Sequence, residues 1–186
     1  MVHFVGAGPG ASDLITVRGD RLLREADVVI YAGSLVNPEL LKGCRTDCAV
    51  YDSAYMTLEE VLEVIRDAER RGEMTVRLHT GDPSIYGAIR EQMDALDRMG
   101  IAYDVCPGVS SFCGAAAALN LEYTLPEVSQ SVIITRMEAE QRFRKKKSIQ
   151  SFAAHQATMV LFLSTGLLEE LSGELIVGGY KEDTPA

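Results

Sequence analysis

Residues 74–87 read Met-Thr-Val-Arg-Leu-His-Thr-Gly-Asp-Pro-Ser-Ile-Tyr-Gly, and the rest of the chain is understood from this stretch. Residues 74–78 are typical of a strand and residues 88–99 of a helix, so 79–87 is predicted to be the loop between them. Gly lets a backbone approach a ligand closely, and Pro stiffens a bend. Ligands of open α/β sheets usually bind past the carboxyl ends of the strands, which makes this loop a candidate site. The alternative is an ordinary strand–helix turn of the same composition.

Composition and charge exclude several classes of protein. The chain has 186 residues, 47% hydrophobic and 24% charged, as expected of one globular domain or two small ones. A net charge of −9 argues against binding to nucleic acids or membrane surfaces, because both are polyanions. The sequence has neither a signal-peptide pattern nor an apolar run of about 20 residues, so we expect a cytoplasmic protein. The spacing of Cys44, Cys48, Cys106 and Cys113 completes no zinc site, so free thiols and no bound metal are expected.

Strand and helix patterns alternate along the first part of the chain. Strands are predicted at 2–5, 28–31, 48–51, 74–78 and 101–105. Helices are predicted at 16–26, 37–42, 57–70, 85–99 and 111–119, the third opened by a capping box at Thr57 and Glu60. This order predicts an α/β fold with a mostly parallel sheet, flanking helices and right-handed crossovers.

The alternation ends near residue 119. Residues 120–128 are polar and irregular and predict a linker between an N-terminal α/β domain, 1–119, and a C-terminal α/β domain, 129–186. The second domain is predicted to contain strands at 131–135 and 157–163 and helices at 148–154 and 165–176. Because a two-stranded sheet is marginal alone, we expect this domain to be incomplete, to pack tightly on the first, or to pair with another chain.

Three loops rich in Gly and Pro follow strands of the first domain, at 6–10, 81–87 and 107–111. If the strands are parallel, these loops lie along one edge of the sheet and form a cleft with many backbone donors and acceptors. Such a cleft suits a neutral or zwitterionic ligand with a nucleoside part. The alternative, that Gly and Pro only terminate strands, explains each loop but not the recurrence.

A dinucleotide-dependent oxidoreductase is the weaker hypothesis. The spacing GxGxxG/A is matched by Gly6, Gly8 and Ala11. However, Pro9 lies inside the turn, and the next helix is predicted only from Thr16. The second strand is followed by Ala-Gly-Ser at 32–34, without the acidic residue that would hold a ribose hydroxyl.

The same loops, GAGPG, GDPSIYG and PGVSS, resemble the signature segments of the tetrapyrrole methylases. Within that family, the chain is most similar to the precorrin-4 and cobalt-precorrin-4 C11-methyltransferases. This finer resemblance is carried by the segments YAGSLVNPELL, YDSAYMTLEEV, RLHTGDPSIYGAIREQM, ITRMEA and SIQSFAAHQATMVLFLS. Together these segments extend over nearly the whole chain.

The resemblance implies two α/β domains with an active-site cleft between them, the cofactor S-adenosylmethionine, and methylation of C-11 of the macrocycle in cobalamin biosynthesis. It also implies a homodimer and a longer chain, since family members continue beyond a segment like 184–186. Methylation of another tetrapyrrole (precorrin-2 or uroporphyrinogen III) or of the diphthamide precursor, and a binding-competent but inactive fragment, are the alternatives.

The resemblance further implies a set of cofactor-binding residues. They are Pro9, Gly81, Asp82, Pro83, Ile85, Tyr86, Ser110, Ser111, Met137, Leu163 and Ala186. Core packing or helix capping is the alternative for several of them, taken singly. No catalytic residue is assigned, because an electron-rich carbon can attack a sulfonium methyl directly and lose its proton afterwards. We therefore expect Asp82 to shape the loop, and His79, which could titrate near neutrality, to be structural.

The substrate implied by the resemblance is an anionic tetrapyrrole, which a chain of net charge −9 should repel. We therefore expect a locally positive substrate site. The densest basic cluster consists of Arg136, Arg142, Arg144 and Lys145 with the two lysines that follow it. We hypothesise that this cluster attracts the carboxylates, the alternative being a solvated loop.

Overall fold

The computed structural model describes residues 1–33, 35–137 and 148–186. The chain divides into two compact units, Met1–Ala117 and Ala118–Ala186. The strands are β1 (Val2–Gly6), β2 (Val28–Tyr31), β3 (Ala49–Asp52), β4 (Thr75–His79), β5 (Tyr103–Cys106), β6 (Val132–Arg136) and β7 (Thr158–Phe162). The α-helices are α1 (Val17–Glu25), α2 (Leu58–Arg70), α3 (Arg90–Met99), α4 (Ser111–Leu119), α5 (Ile149–Ala153) and α6 (Leu168–Val177). No helix in the described ranges is long and apolar enough to cross a bilayer.

The N-terminal unit is built on a five-stranded sheet in the order β3-β2-β4-β1-β5. Every pair of neighbouring strands is parallel, which confirms the predicted α/β class and parallel sheet. In this register Phe4 of β1 lies opposite Arg77 of β4 on one side and Val105 of β5 on the other. The loops that follow β4, β1 and β5 therefore leave three adjacent strands at the same edge.

Helices cover both faces of this sheet, so its central strands are buried on both sides. On one face, Phe4 and Ile30 pack against α2 and α3. On the other, Val76 and Leu78 pack in a cluster with residues of α1. Burial on both sides explains why β1 and β2 are almost entirely apolar, as parallel strands usually are.

Local capping signals set the starts of the helices that flank the sheet. The Thr57 hydroxyl accepts a hydrogen bond from the Glu60 N–H at 3.2 Å, and the Glu60 carboxylate accepts one from the Thr57 N–H at 2.7 Å. This is the predicted capping box. The side chain of Thr16 likewise accepts from the Gly19 N–H at 3.1 Å, which confirms the predicted start of α1.

Of the two starts predicted for this helix, residue 85 is wrong and residue 88 is close, because α3 starts at Arg90. Tyr86 and Ala88 have φ of +54° and +50°, a left-handed conformation that cannot continue into a helix. Strand β5 also begins later than predicted, at Tyr103 and not at residue 101. Gly100 ends α3 with φ of +66°, and the N–H of Ile101 donates to the Leu96 carbonyl at 3.0 Å instead of joining the sheet.

The C-terminal unit contains β6 and β7 as a parallel pair, with Thr135 opposite Leu161. Met137, Ile149 and Leu171 form a small buried cluster beside them. The helix predicted over 165–176 is divided into a short 3₁₀ turn, Thr165–Leu167, and α6.

Replacing Ile65 by Ala should lower the free energy of unfolding by about 2–5 kcal/mol, since its fully buried side chain fills the core between the sheet and α2. Urea unfolding followed by circular dichroism measures the loss. Arg66→Ala on the exposed side of the same helix is the matched control and should change stability little. Equal midpoints for the two variants would contradict this account of the core.

Candidate cofactor-binding site

The three glycine-rich loops of the N-terminal unit contact one another through their backbones. Gly8 and Gly81 exchange two hydrogen bonds, of 3.3 and 2.9 Å, and the Ala7 N–H donates to the His79 carbonyl at 2.7 Å. A Cβ added to Gly6 would lie 2.5 Å from both the Gly108 Cα and the Gly81 carbonyl oxygen. Only glycine permits this approach, so the predicted convergence of the loops is confirmed.

The third loop is held against the first through Pro9 as well. A Cβ added to Gly114, in the first turn of α4, would lie 2.5 Å from the Pro9 Cβ. Ser110 is buried at the start of this turn, and Ser111 is exposed. Pro9 therefore packs on α4, and the two serines lie at the start of this helix, beside Gly81.

Asp82 connects the second loop to the third. One of its carboxylate oxygens accepts from the Ser84 N–H at 2.8 Å and from the Ser84 hydroxyl, and the other accepts from the Gly108 N–H at 2.9 Å. Partial burial would raise the pKa of Asp82, but these hydrogen bonds outweigh it and hold the pKa below its usual value. The carboxylate is thus ionised, and its hydrogen bonds join the second loop to the third.

The rest of the second loop forms a tight turn with an exposed rim. A Cβ added to Gly87 would lie 2.2 Å from the Pro83 carbonyl oxygen, so the chain folds closely back on itself. Pro83 is buried, Ile85 is half-buried, and Tyr86 is 43% exposed. The side chains of Ile85 and Tyr86 therefore form an accessible apolar surface on this turn.

In the C-terminal unit, the ends of β6 and β7 carry two more predicted contacts. The N–H of the buried Met137 donates to the Ser164 hydroxyl at 3.0 Å, and that hydroxyl donates to the Phe162 carbonyl at 2.7 Å. Leu163, between them, is exposed and has φ of +54°. Met137 and Leu163 are thus brought to neighbouring strand ends, whereas Ala186 is exposed and belongs to no helix or strand.

The predicted basic cluster is only partly described. Arg136 is exposed at the last position of β6. Arg142, Arg144 and Lys145 lie outside the described residues. Within the described ranges, no group of three or more His, Cys, Asp or Glu side chains is gathered closely enough to hold a metal ion.

His79 lies at the end of β4, directly before the second loop, and is buried. Burial, and after it the positive charge of Arg77, lower the pKa of His79 to about 3, although the backbone of Gly87 acts in the opposite direction. Its ring lies 5.9 Å from the ring of Phe4. His79 therefore does not titrate near neutrality. Its burial is consistent with the structural role that we expected for it.

Three buried polar residues, two in the N-terminal unit and one in the C-terminal unit, could not be assigned a role from the sequence. Arg77 donates to the Gln92 side-chain oxygen at 3.1 Å, and Ser164 anchors Met137 as described above. For Gln92 a weak signal existed, because it interrupts the apolar side of α3 that includes Met93 and Leu96. For Arg77 and Ser164 we find no such signal, since their partners are distant in sequence.

The sequence and the fold both match one family. The family model described as Tetrapyrrole (Corrin/Porphyrin) Methylases matches residues 1–186, and the chain belongs to this family. The chain is 51% identical over 184 residues to the cobalt-precorrin-4 C(11)-methyltransferase of Methanocaldococcus jannaschii, which covers 99% of this chain and 71% of that protein.

Two solved structures of related enzymes are similar to this chain. The X-ray structure of a cobalt precorrin-4 methyltransferase, a cobalamin biosynthetic enzyme, superposes with a TM-score of 0.94 at 44% identity, covering 98% of this chain and 76% of that one. The uroporphyrin-III C-methyl transferase of Thermus thermophilus, complexed with S-adenyl homocysteine, gives a TM-score of 0.76 at 28% identity, covering 97% and 73%. The family resemblance predicted from the loops is thereby confirmed.

Replacing Gly108 by Ala should separate the loops, because the new Cβ would lie 2.1 Å from the Gly81 carbonyl oxygen. We expect at least a tenfold loss of affinity for S-adenosylhomocysteine, about 1.4 kcal/mol, measured by calorimetry. Gly173→Ala on α6 is the control, because a Cβ there meets nothing within 4 Å. Unchanged affinity in Gly108→Ala would show that the contact between the loops is irrelevant to binding.

The pKa of His79 predicts a specific loss of stability in acid. In the unfolded chain His79 has its ordinary pKa near 6.5, and in the folded protein about 3, so the unfolded state binds the extra proton between these values. The contribution of neutral His79 is complete above pH 6.5 and falls by up to about 1.4 kcal/mol per pH unit toward pH 3. We expect His79→Asn to flatten this part of the pH profile of urea midpoints. His155→Asn, at an exposed position, is the comparison variant, and identical profiles for wild type and His79→Asn would refute the assignment.

Proposed function

We propose that this chain transfers the methyl group of S-adenosylmethionine to C-11 of precorrin-4 or cobalt-precorrin-4, a step of cobalamin biosynthesis. The observation that carries the proposal is the convergence of the three glycine-rich loops at one edge of the sheet, in a chain 51% identical to an enzyme of this name. A related enzyme of known structure holds S-adenyl homocysteine, which supports the choice of cofactor.

The loops fit S-adenosylmethionine in their chemistry. The adenosine part is uncharged and needs backbone hydrogen bonds and apolar contact, which the edges of 6–10, 81–87 and 107–111 and the exposed Tyr86 supply. Asp82 is the only charged residue of the three loops, and it is already engaged by Ser84 and Gly108. The resemblance to the family assigns further apolar cofactor contacts to Met137 and Leu163.

The protein's part in this reaction is positioning. S-adenosylmethionine supplies a methyl group made electrophilic by its sulfonium. The loops would hold this group aligned with the attacking carbon and exclude water, and well-oriented proximity can contribute about 7–11 kcal/mol. No general base is assigned, because the proton leaves after the carbon–carbon bond has formed, and neither Asp82 nor the buried neutral His79 is disposed to take it.

We further propose that the basic residues Arg136, Arg142, Arg144 and Lys145 bind the substrate. The proposal rests on charge: a macrocycle with many carboxylates must approach a chain of net charge −9. By the same resemblance to the family, we propose a cytoplasmic homodimer without nucleic-acid or membrane partners.

The function is tested by methyl transfer from labelled S-adenosylmethionine to precorrin-4, with and without cobalt in the macrocycle. We expect a product carrying one additional methyl group, at C-11, with one of the two substrates preferred. Uroporphyrinogen III and precorrin-2 are the competing substrates. Methylation of either of them in preference to precorrin-4 would overturn the assignment, and binding of S-adenosylhomocysteine without any transfer would favour an inactive fragment.

Reversing the charge of Lys145 and of the two lysines after it should raise the KM for the macrocycle, because the attraction for its carboxylates is replaced by repulsion. The affinity for S-adenosylhomocysteine should stay the same, since the predicted cofactor contacts lie elsewhere. The effect should weaken in 0.5 M salt, as screened charge interactions do. The control is Lys42→Glu, at a lysine of the N-terminal unit that pairs with Glu39. An unchanged KM in the triple variant would contradict the proposal.

A further inference from the structure

The turn at 86–88 has a backbone that its own sequence does not favour. Tyr86 and Ala88 are not glycines, yet both adopt left-handed φ values, of +54° and +50°. Non-glycine residues remain in this conformation only where the surrounding structure enforces it. Helix α3 begins just after the turn, and its N-cap residue Ile89 makes no side-chain capping bond. The turn must therefore be held from elsewhere.

A buried side chain of α3 holds it. The Gln92 amide N–H₂ donates to the Ala88 carbonyl at 3.3 Å, from a residue that is only 6% exposed. This bond does not cap the helix, whose unpaired groups at this end are N–H donors, but it gives the carbonyl of the residue before Ile89 a partner. It also fixes the carbonyl of a left-handed residue in one direction.

The orientation of this amide is set by Arg77. The Arg77 Nε–H donates to the Gln92 Oε1 at 3.1 Å, so the amide must present its NH₂ group to Ala88. A second donor of Arg77 reaches the Ile30 carbonyl at 3.1 Å. Burial lowers the pKa of Arg77 to about 10, and it has no carboxylate partner in the described part of the chain. Burying a cation with only neutral acceptors is costly, and stability alone does not account for it.

We propose that Gln92, oriented by Arg77, is a positioning residue that holds the turn at 86–88 and thereby presents Ile85 and Tyr86 to the cofactor. This inference rests on the proposed function, since the ligand of the turn is taken to be S-adenosylmethionine. It assigns Gln92 and Arg77 a role in cofactor binding, although neither is a predicted contact.

Gln92→Glu separates positioning from core stability. The carboxylate keeps an acceptor for Arg77, but it has no N–H to donate to Ala88. We expect a thermal midpoint close to that of the wild type and about a tenfold weaker affinity for S-adenosylhomocysteine, measured by calorimetry. The KM for the macrocycle should not change. Glu91→Gln, the reverse exchange at the exposed neighbouring position of α3, is the matched control and should bind like the wild type.

A rescue variant tests the mechanism directly. Glycine adopts positive φ without support, so adding Ala88→Gly to Gln92→Glu should return the affinity toward the wild-type value. A purely structural Gln92 predicts no such recovery. A stable Gln92→Glu variant with wild-type affinity, or a double variant without recovery, would overturn the proposal.

If Gln92→Glu does not fold, Ala88→Val takes its place. Ala88 is exposed, so the core is spared, but a β-branched residue resists φ of +50° and should disturb the turn. We expect a similar loss of affinity with an unchanged thermal midpoint, and wild-type affinity would overturn the proposal.

Failure of the proposed function has a different signature, because the wild type itself would then not bind S-adenosylhomocysteine. In that case amide hydrogen exchange at 85–88 decides whether Gln92 holds the turn. Faster exchange in Gln92→Glu than in Glu91→Gln supports the positioning role, and equal exchange overturns it.

Discussion

The contact between the backbones of Gly6, Gly81 and Gly108 is the constraint on which the N-terminal unit depends. The contact arises because β1 lies between β4 and β5. The three loops therefore leave strands of which each is only about 4.8 Å from its neighbour. Side chains would force these loops to diverge, and glycine lets them meet. Asp82 then joins the second loop to the third through the Gly108 N–H. The surface of the three loops therefore consists mostly of backbone N–H and C=O groups and apolar side chains.

A site made in this way is suited to a reaction without acid–base catalysis. Two ionisable side chains at the second loop are both withdrawn from chemistry. Hydrogen bonds from Ser84 and Gly108 keep Asp82 ionised and engaged, and burial keeps His79 neutral. Methyl transfer from a sulfonium needs alignment rather than a proton acceptor, so a rigid junction with few charges is an adequate catalyst.

The sequence predicted those features that depend on local signals or on general rules of sheets. The capping box at Thr57, the apolar central strands and the parallel order could all be inferred, and from them the convergence of the three loops. The start of α3 could not, because the residues from 85 onward have no strong helix breaker other than Gly87. The turn before α3 is held by Gln92, whose amide is oriented by Arg77, 15 residues earlier in the chain. Met137 is likewise held by Ser164, 27 residues away.

The start of α3 was mispredicted at the turn at 86–88, where two residues adopt a backbone conformation that their side chains disfavour. Both the wrong prediction and the unusual backbone arise because surrounding contacts, and not local preference, determine this turn. A loop that only connected β4 to α3 would need neither Asp82 on one side nor Gln92 on the other. The second loop has both anchors and carries two left-handed non-glycine residues between them. Leu163, a predicted cofactor contact in the C-terminal unit, has the same unusual φ. Local strain that is enforced by surrounding contacts is typical of ligand sites, because it fixes a surface before the ligand arrives.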